Sequence, residues 1–148
     1  MKVQSLGHVV VKVQSVQRSE AFYSGVLGIP IVSRISDPVR MTFFSLGSHH
    51  DFAVLEVGED APAPDSGAVG LAHVAFKIGD SPEEYCSAEA DLESAQITVL
   101  YTAERTFTRS LHLHDPDGNE VELYVDTSDE WKSSVSAASP AKANGPPD

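Results

Sequence analysis

The sequence is poor in cysteine and in long apolar runs, and both shortages limit where the protein works. Its 148 residues include one cysteine, Cys86, so no disulfide bond can form within the chain. A single thiol suits a reducing compartment. No segment reaches the roughly 18 apolar residues that a membrane-spanning helix needs, and the first residues lack a signal-peptide pattern. We therefore expect a cytoplasmic protein without membrane association.

Basic residues are also scarce. The 10 lysines and arginines face 22 aspartates and glutamates, which gives a formal net charge of −12. Because nucleic acids and anionic membranes are bound through clustered positive charge, we expect neither partner. The hydrophobic fraction of 41% and the charged fraction of 22% are ordinary for a soluble globular protein. The chain is long enough for one compact domain with a substantial core.

An internal repeat is the most informative feature of the sequence. Residues 6–13 and 71–78 match at an offset of 65 residues, with leucine, histidine, valine and lysine at identical positions. His8 and His73 are therefore equivalent members of two related strands. A repeat of this kind predicts two copies of one supersecondary unit in a single chain.

Each matched strand is followed by one predicted helix and three predicted strands. The helices are expected at about 15–27 and 81–95; the second begins with a capping box of Ser81 and Glu84. The further strands are expected at 31–35, 40–46, 51–57, 96–102, 106–114 and 119–125. This order predicts an α+β fold of two βαβββ modules, which form a paired, curved mixed sheet around a metal cavity.

The domain organisation follows from the repeat. We predict one domain at residues 1–127, with module 1 at about 5–57, a linker at 58–69 and module 2 at about 70–126. Residues 128–148 are rich in Ser, Ala, Pro and Gly, which predicts a disordered tail. Trp131 is the residue of this tail that could fold back as a local anchor.

Strand alternation predicts that three metal-binding side chains share one side of the fold. His8, His73 and Glu122 each alternate with apolar residues, so their side chains lie opposite the helix-side core. Pairing the modules about a pseudo-twofold axis brings these faces together. Two imidazoles and one carboxylate are the facial set of non-haem Fe(II) sites, and Mn(II) is the alternative ion. Three coordination positions then stay open for a substrate with two neighbouring oxygens and for O2.

Several segments resemble the vicinal oxygen chelate superfamily, which includes glyoxalase I, extradiol ring-cleaving dioxygenases and bleomycin-resistance proteins. These segments are residues 7–9, 21–28, 71–74 and 115–122, and the resemblance covers about 6–126. It implies the paired βαβββ fold and a divalent metal site. Within the superfamily the chain is most similar to single-domain extradiol dioxygenases. The resemblance thus implies an Fe(II)-dependent enzyme that cleaves a catechol-like aromatic diol with O2.

The same resemblance implies roles for residues around the metal. Residues 48–53 are similar to a His-His segment of extradiol enzymes, in which the second histidine, here His50, is an acid/base. His112 stands ten residues before Glu122, where the extradiol signature has a tyrosine. His112 either donates a hydrogen bond to a substrate oxygen or moves a proton, or it is a strand histidine bonded to a neighbouring carboxylate. Tyr124 shares the face of Glu122, where it either orients substrate or packs.

Two alternative functions stay open at this point. Glyoxalase-like members carry a fourth ligand where this sequence has Ala53, and strand alternation turns the nearby Glu56 to the other face unless the register slips. A ligating Glu56 would favour a lyase, isomerase or epimerase with a metal-stabilised enediolate. A metal-free drug-binding resistance protein is the other alternative, although unpaired buried His and Glu would be costly. The exposed strand edges also leave a homodimer open.

Overall fold

The computed structural model describes residues 2–65 and 67–137, which form eight strands and three α-helices. The strands of the first half are β1 (Val9–Val13), β2 (Ile31–Ile35), β3 (Met41–Phe44) and β4 (Phe52–Glu56). Those of the second half are β5 (His73–Gly79), β6 (Val99–Glu104), β7 (Thr108–His114) and β8 (Glu120–Asp126). The helices are α1 (Val16–Glu20), α2 (Pro82–Ser94) and α3 (Glu130–Ala137), and a π-helical segment (Ala21–Val26) continues α1.

Each half of the chain forms its own four-stranded mixed sheet with the same connectivity. The strand order is β1-β4-β3-β2 in the first sheet and β5-β8-β7-β6 in the second. In both sheets the first strand pairs in parallel with the last, and the other neighbours are antiparallel. The predicted α+β fold of two βαβββ modules is therefore confirmed.

One irregularity recurs in both sheets, whereas a shift between Lys77 and Gly79 of β5 against β8 occurs in the second sheet without a counterpart in β1. The register of β2 against β3 shifts between Ile31 and Ser33, and that of β6 against β7 shifts between Val99 and Tyr101. Such a bulge bends a strand and increases its twist. Because it recurs at the same place, the two modules share their local shape as well as their strand order.

The predicted helix at 15–27 is divided into two kinds of turn. After α1, the amide of Leu27 donates to the carbonyl of Phe22, five residues earlier, at 3.0 Å. This spacing defines a π-helical turn, and the buried Phe22 and Tyr23 lie within it. Gly28, two residues after this segment, has a φ of +72°, a conformation that glycine adopts at little cost.

The first strand of each module shows the predicted alternation. In β1, Val11 and Val13 are buried, whereas Lys12 is exposed. In β5, Phe76 is buried and His73 is exposed. The apolar faces therefore pack against the helices. His73 lies on the opposite, open face of its sheet, as strand alternation predicts.

One apolar core joins the helix-side faces of both sheets. The rings of Phe52 and Phe76, one from each sheet, meet edge to face with centroids 5.4 Å apart. Tyr23 lies 4.7 Å from Phe52 and 6.4 Å from Phe76, measured between ring centroids. Each aromatic pair at such distances contributes roughly 0.5–1.5 kcal/mol beyond its buried area. Because the helix-side faces share this core, the other faces of the sheets point away from it.

The start of α2 follows the predicted capping box in part. Ser81 Oγ accepts a hydrogen bond from the amide of Glu84 at 3.2 Å, as predicted. The Glu84 carboxylate, however, accepts the amide of Asp80 at 2.8 Å instead of that of Ser81. The first bond satisfies an amide of the first helical turn, which has no partner inside the helix, and the second satisfies the amide of the residue before the N-cap.

The segment predicted as a disordered tail, residues 128–148, begins with the helix α3. Trp131 Nε1 donates to Asp126 Oδ2 at 3.2 Å, so the tryptophan anchors this helix to the end of β8. Ser128 Oγ accepts the amide of Glu130, which helps to start the helix. Residues 138–148 lie outside the described residues. Neither α3 nor any other helix in the described chain has the length and apolar character to cross a membrane.

Candidate metal centre

The polar face of the second sheet carries the second-repeat histidine and the predicted glutamate ligand side by side. The register pairs Glu122 with Ala75 on β5 and with His112 on β7. His73 is paired with Glu120, one step along the same face. Since Ala75 is small, the space in front of Glu122 is open to its neighbours on β5 and β7.

His73 and Glu122 fit two positions around one divalent ion. Their donor atoms, Nε2 and Oε2, lie 3.1 Å apart. Two ligands with bonds of about 2.1 Å at right angles would be separated by about 3.0 Å. The side chains are 39% and 20% exposed, so an ion and a substrate can reach them. The donor types and their separation therefore suit a metal at this place.

His112 lies beside this pair and is held by a second glutamate. Its Nδ1 is 2.8 Å from Glu120 Oε1, and its Nε2 is 3.3 Å from Ser110 Oγ and 3.8 Å from Glu122 Oε1. The His73 and His112 ring centroids are 5.7 Å apart. Both predicted roles of His112 thus remain compatible with its position: it bonds a neighbouring carboxylate and it faces the metal side.

Tyr101 completes a small network on the same face. Its ring stacks on that of His112, with centroids 4.2 Å apart and 13° between the planes. Its hydroxyl donates to Glu120 Oε1 at 2.6 Å. This hydrogen bond, followed by that of His112, lowers the pKa of the Glu120 carboxyl, so Glu120 is a carboxylate that fixes both rings.

His8 and His50 form a separate pair on the first module. Their ring centroids are 4.6 Å apart, and Phe43 meets His50 edge to face at 5.2 Å. His49 is also close, with its ring centroid 4.1 Å from that of His50. Partial burial and the neighbouring His49 and His8 lower the pKa of His50, so its imidazole is neutral at neutral pH. The predicted acid/base thus lies beside a predicted ligand.

The structure therefore brings the predicted residues together as two pairs. His73 lies with Glu122, and His8 lies with His50. Within residues 2–65 and 67–137, no group of three His, Cys, Asp or Glu side chains is placed to hold an ion. The set of His8, His73 and Glu122 on one ion stays a prediction.

The first module has an alanine where the second has its glutamate ligand. Val10 pairs with Ala53 on β4, just as the repeat-related Ala75 pairs with Glu122 on β8. Ala53 thus occupies the position equivalent to Glu122, and its methyl group cannot bind a metal. The two modules together offer one carboxylate at this pair of positions.

Glu56 is engaged elsewhere in the fold. It pairs with Val13 in the sheet, on the face opposite to that of Ala53. Its Oε2 accepts the amide of Val16 at 2.9 Å, and its Oε1 accepts Arg40 at 2.8 Å. The expectation that alternation turns Glu56 to the face opposite that of Ala53 is confirmed, and this carboxylate stabilises the N-terminus of α1.

A cleft of about 490 Å³ opens beside Glu122 on the second sheet. Ala75, Glu122 and Tyr124 line one part of it, and burial raises the pKa of the Tyr124 hydroxyl. The turn before β7 and Trp131 of α3 line the rest. Tyr124 therefore lines this cleft, and its substrate-orienting role stays a prediction.

Sequence reasoning missed two parts of this surface. Glu120 and Tyr101 were not singled out, although Glu120 shares the face of Glu122 by simple alternation. Tyr101 carried no comparable signal, because the bulge in β6 determines which residue of that strand meets His112.

A family model for the glyoxalase/bleomycin resistance protein/dioxygenase superfamily matches residues 5–123. The biphenyl-2,3-diol 1,2-dioxygenase 3 of Rhodococcus globerulus is 30% identical over 125 residues, which cover 82% of this chain and 63% of the relative. The catechol-2,3-dioxygenase of Bacillus subtilis is 27% identical over 82% of this chain and 41% of its own length. The chain thus spans less than two thirds of both dioxygenase relatives.

Other relatives have different activities in their names. The metallothiol transferase FosB of Lysinibacillus sphaericus is 26% identical over 86% of each chain. Among solved structures, a glyoxylase/bleomycin resistance protein/dioxygenase domain from Frankia has a TM-score of 0.72 at 20% identity, covering 84% of this chain and 99% of that one. The fosfomycin resistance protein FosX of Listeria monocytogenes, in complex with Mn(II), has a TM-score of 0.68 at 18% identity and covers 89% and 99%. These two likenesses bear on the fold alone.

Proposed function

The chain belongs to the glyoxalase/bleomycin resistance protein/dioxygenase superfamily, and we propose that it is a metal-dependent extradiol-type dioxygenase acting on a catechol-like aromatic diol. The observation that carries this proposal is the number of carboxylates at the site. Ala53 replaces the counterpart of Glu122, and Glu56 binds the start of α1. Two histidines and one carboxylate leave positions for both diol oxygens and for O2, whereas a fourth protein ligand would remove one of them.

We propose that His73, Glu122 and His8 hold the ion, with Fe(II) as the preferred metal and Mn(II) as the alternative. When bound, the metal supplies Lewis acidity and a template that holds the diol and O2 together. His73 and Glu122 contribute two donors that are already 3.1 Å apart. Glu122 thereby carries the charge that partly balances the cation.

Three further side chains are proposed to handle the substrate. His50, neutral at neutral pH, accepts a proton from a diol hydroxyl at its free ring nitrogen. In His112, Nδ1 lies 2.8 Å from Glu120 Oε1, so Nε2 on the other side of the ring is the nitrogen proposed to exchange a proton with a substrate oxygen. The Tyr124 hydroxyl donates to the bound molecule in the cleft.

We further propose that two copies of the chain complete the site. β1 and β5 are both edge strands; His73 begins β5 and His8 immediately precedes β1, and the sheet faces opposite the shared core point away from it. Val10, beside Ala53 on the first sheet, is 40% exposed, so this face offers apolar surface to a partner. A homodimer can place His8 of one copy against His73 and Glu122 of the other.

Mixing two inactive variants tests this arrangement. His8→Ala and His73→Ala are co-expressed, and the metal content of the mixture is compared with that of each variant alone. In a twofold dimer with shared sites, half of the dimers are mixed and each keeps one intact site, so about one quarter of the wild-type sites should return. A mixture that binds no more metal than the separate variants would place each site within one chain.

A second candidate is metal-dependent thiol transfer. It is favoured by two relatives that are named as transferases, the metallothiol transferase FosB and the glutathione transferase FosA of Serratia marcescens, each 26% identical over 86% and 83% of this chain respectively. Consumption of glutathione in the presence of fosfomycin and Mn(II) would support this candidate.

Oxygen uptake tests the first candidate. The purified chain is loaded with Fe(II) without air and then mixed with aerated catechol, 3-methylcatechol or 2,3-dihydroxybiphenyl. We expect O2 consumption equal to diol consumption, together with a yellow ring-opened product. Stoichiometric iron without O2 uptake over this panel would contradict the dioxygenase proposal.

A further inference from the structure

The cleft beside Glu122 is lined by aromatic, acidic and basic side chains. Three aromatic side chains, Phe107, Tyr124 and Trp131, line it together with Ala75 and the proposed ligand Glu122. Such surfaces favour a flat ring, because aromatic contacts add to the gain from apolar burial. The end occupied by Glu122 is therefore suited to the diol, and the aromatic residues are suited to the rest of the ring.

Arg105 is the one basic residue among the residues described as lining this cleft. Its side chain is exposed, and it takes part in no salt bridge within the described part of the chain. The other described arginines at ion pairs, Arg18, Arg34 and Arg40, each contact a carboxylate. Arg109 also forms no ion pair among the described residues, but its guanidinium lies over the Tyr85 ring, 3.9 Å from the centroid, so among the described arginines Arg105 has neither kind of partner.

The backbone holds Arg105 at a defined place. Its amide donates to the carbonyl of Thr108 at 2.8 Å, which closes the tight turn between β6 and β7. The same turn contributes Thr106 and Phe107 to the cleft. The cation is therefore carried by a short hairpin beside the aromatic wall, and not by a long mobile loop.

One of the two carboxylates that line the cleft is paired with a lysine. Asp126 also lines the cleft, but its Oδ2 accepts Lys77 at 2.7 Å and Trp131 Nε1 at 3.2 Å. The Lys77 ammonium, which also contacts Asp80, thus pairs with Asp126, and the Asp126 carboxylate also fixes the indole of Trp131. An anion next to Arg105 would not meet an unpaired carboxylate on that side.

We propose that Arg105 makes the cleft selective for an aromatic diol that carries an anionic substituent, such as a carboxylate, on its ring. The diol end lies toward Glu122, the ring lies against Phe107, Tyr124 and Trp131, and the anion pairs with the guanidinium. This inference rests on the proposed function, since it assigns the substrate class of the same site. A planar guanidinium binds a carboxylate through two parallel hydrogen bonds.

Binding to the full chain without added metal tests this selectivity separately from catalysis. Trp131 is the single tryptophan of the sequence, so its emission reports occupancy of the cleft, and calorimetry gives the dissociation constants. The two probes are 3,4-dihydroxybenzoate and catechol, which differ by the carboxylate. We expect 3,4-dihydroxybenzoate to bind at least about tenfold more tightly, as a charged hydrogen-bonded pair would provide.

Arg105→Gln should remove this preference, with binding of 3,4-dihydroxybenzoate weakened at least about tenfold and that of catechol unchanged. Arg34→Gln is the matched control, because Arg34 is exposed on the first sheet and pairs with Glu20. It should keep the preference. Equal affinities for the two probes in the wild type, a preference retained by Arg105→Gln, or no binding of 3,4-dihydroxybenzoate at millimolar concentration would overturn the proposal. A preference that depends on Arg105, without O2 uptake by the iron-loaded chain, would contradict only the dioxygenase reaction.

Discussion

Tyr23 and Asp115 join the two repeats through a buried hydrogen bond: the tyrosine hydroxyl donates to Asp115 Oδ2 at 2.9 Å. Tyr23 belongs to the first module and is 1% exposed, whereas Asp115 begins the turn between β7 and β8 and is 5% exposed. Asp115 Oδ1 also accepts the amides of Asp117 and Asn119. The turn beside the candidate site is thus tied to the helix of the other module.

Tyr23→Phe should lower the free energy of unfolding by about 1–3 kcal/mol, because it leaves a buried carboxylate oxygen with fewer donors. Burial and the adjacent Asp115 raise the pKa of Tyr23, so the hydroxyl stays protonated and this loss should hold from pH 6 to pH 9. Urea denaturation of the wild type and the variant measures the difference.

Tyr85→Phe is the matched control for the same chemical change. The Tyr85 hydroxyl is buried and has no hydrogen-bond partner among the described residues. Removing it should be neutral or slightly stabilising, since no bond is lost and an unsatisfied polar group is removed. Equal losses from Tyr23→Phe and Tyr85→Phe would contradict the assigned importance of the bond to Asp115.

The carboxylate of Glu20 makes stability depend on pH in the acid range. It accepts two hydrogen bonds from Arg34, at 2.7 and 3.0 Å, and one from Thr42 at 2.6 Å. The bond from Arg34 is the largest of the causes that hold its pKa below the ordinary 4.5. A carboxyl with a lowered folded-state pKa contributes stability above its unfolded pKa, and this contribution disappears as the pH falls through the folded value.

Glu20→Gln should therefore lower the free energy of unfolding by about 1 kcal/mol at pH 7. Near pH 2 the difference between wild type and variant should shrink toward zero, because the wild-type carboxyl is then protonated as well. Chemical denaturation of both proteins at the two pH values measures this difference in the free energy of unfolding. A difference that does not change with pH would show that the carboxylate charge is not the source of the effect.

His50→Phe should keep the metal and reduce turnover by about 10²–10⁴-fold, because the proton acceptor is lost while the proposed ligands remain. Phenylalanine retains the ring contacts with His8 and Phe43. His49→Phe is the control on the same loop and should keep most of the turnover. Metal analysis measures the metal content of both variants, and steady-state rates measure their turnover. Unchanged turnover in His50→Phe would exclude the acid/base role.

Much of the fold could be predicted because each strand and its buried face follow from a short sequence pattern. The match around His8 and His73 identified both first strands, and alternation identified their buried faces. The same alternation predicted that Glu56 lies on the face opposite that of Ala53. Its carboxylate there accepts the amide of Val16. Periodicities of this kind depend on neighbouring residues alone, so they can be recognised without knowledge of the tertiary structure.

The rest depends on contacts between distant segments. The network of Tyr101, His112 and Glu120 requires the register of three strands and a bulge, which no local pattern specifies. The helix α3 is fixed by the bond from Trp131 to Asp126, whereas its composition alone indicated disorder. The separation of His8 and His50 from His73 and Glu122 reflects how the two modules pack, which sequence alternation cannot determine.

Anaerobic Fe(II) binding to Glu122→Gln and Glu56→Gln is the most direct test of the proposed metal centre. The account predicts one ion per chain in the wild type and in Glu56→Gln, whose carboxylate serves the start of α1. Glu122→Gln should fold and lose the ion, because the amide is a poor replacement for the charged oxygen beside His73. Stoichiometric iron retained by Glu122→Gln, or lost from a folded Glu56→Gln, would contradict it.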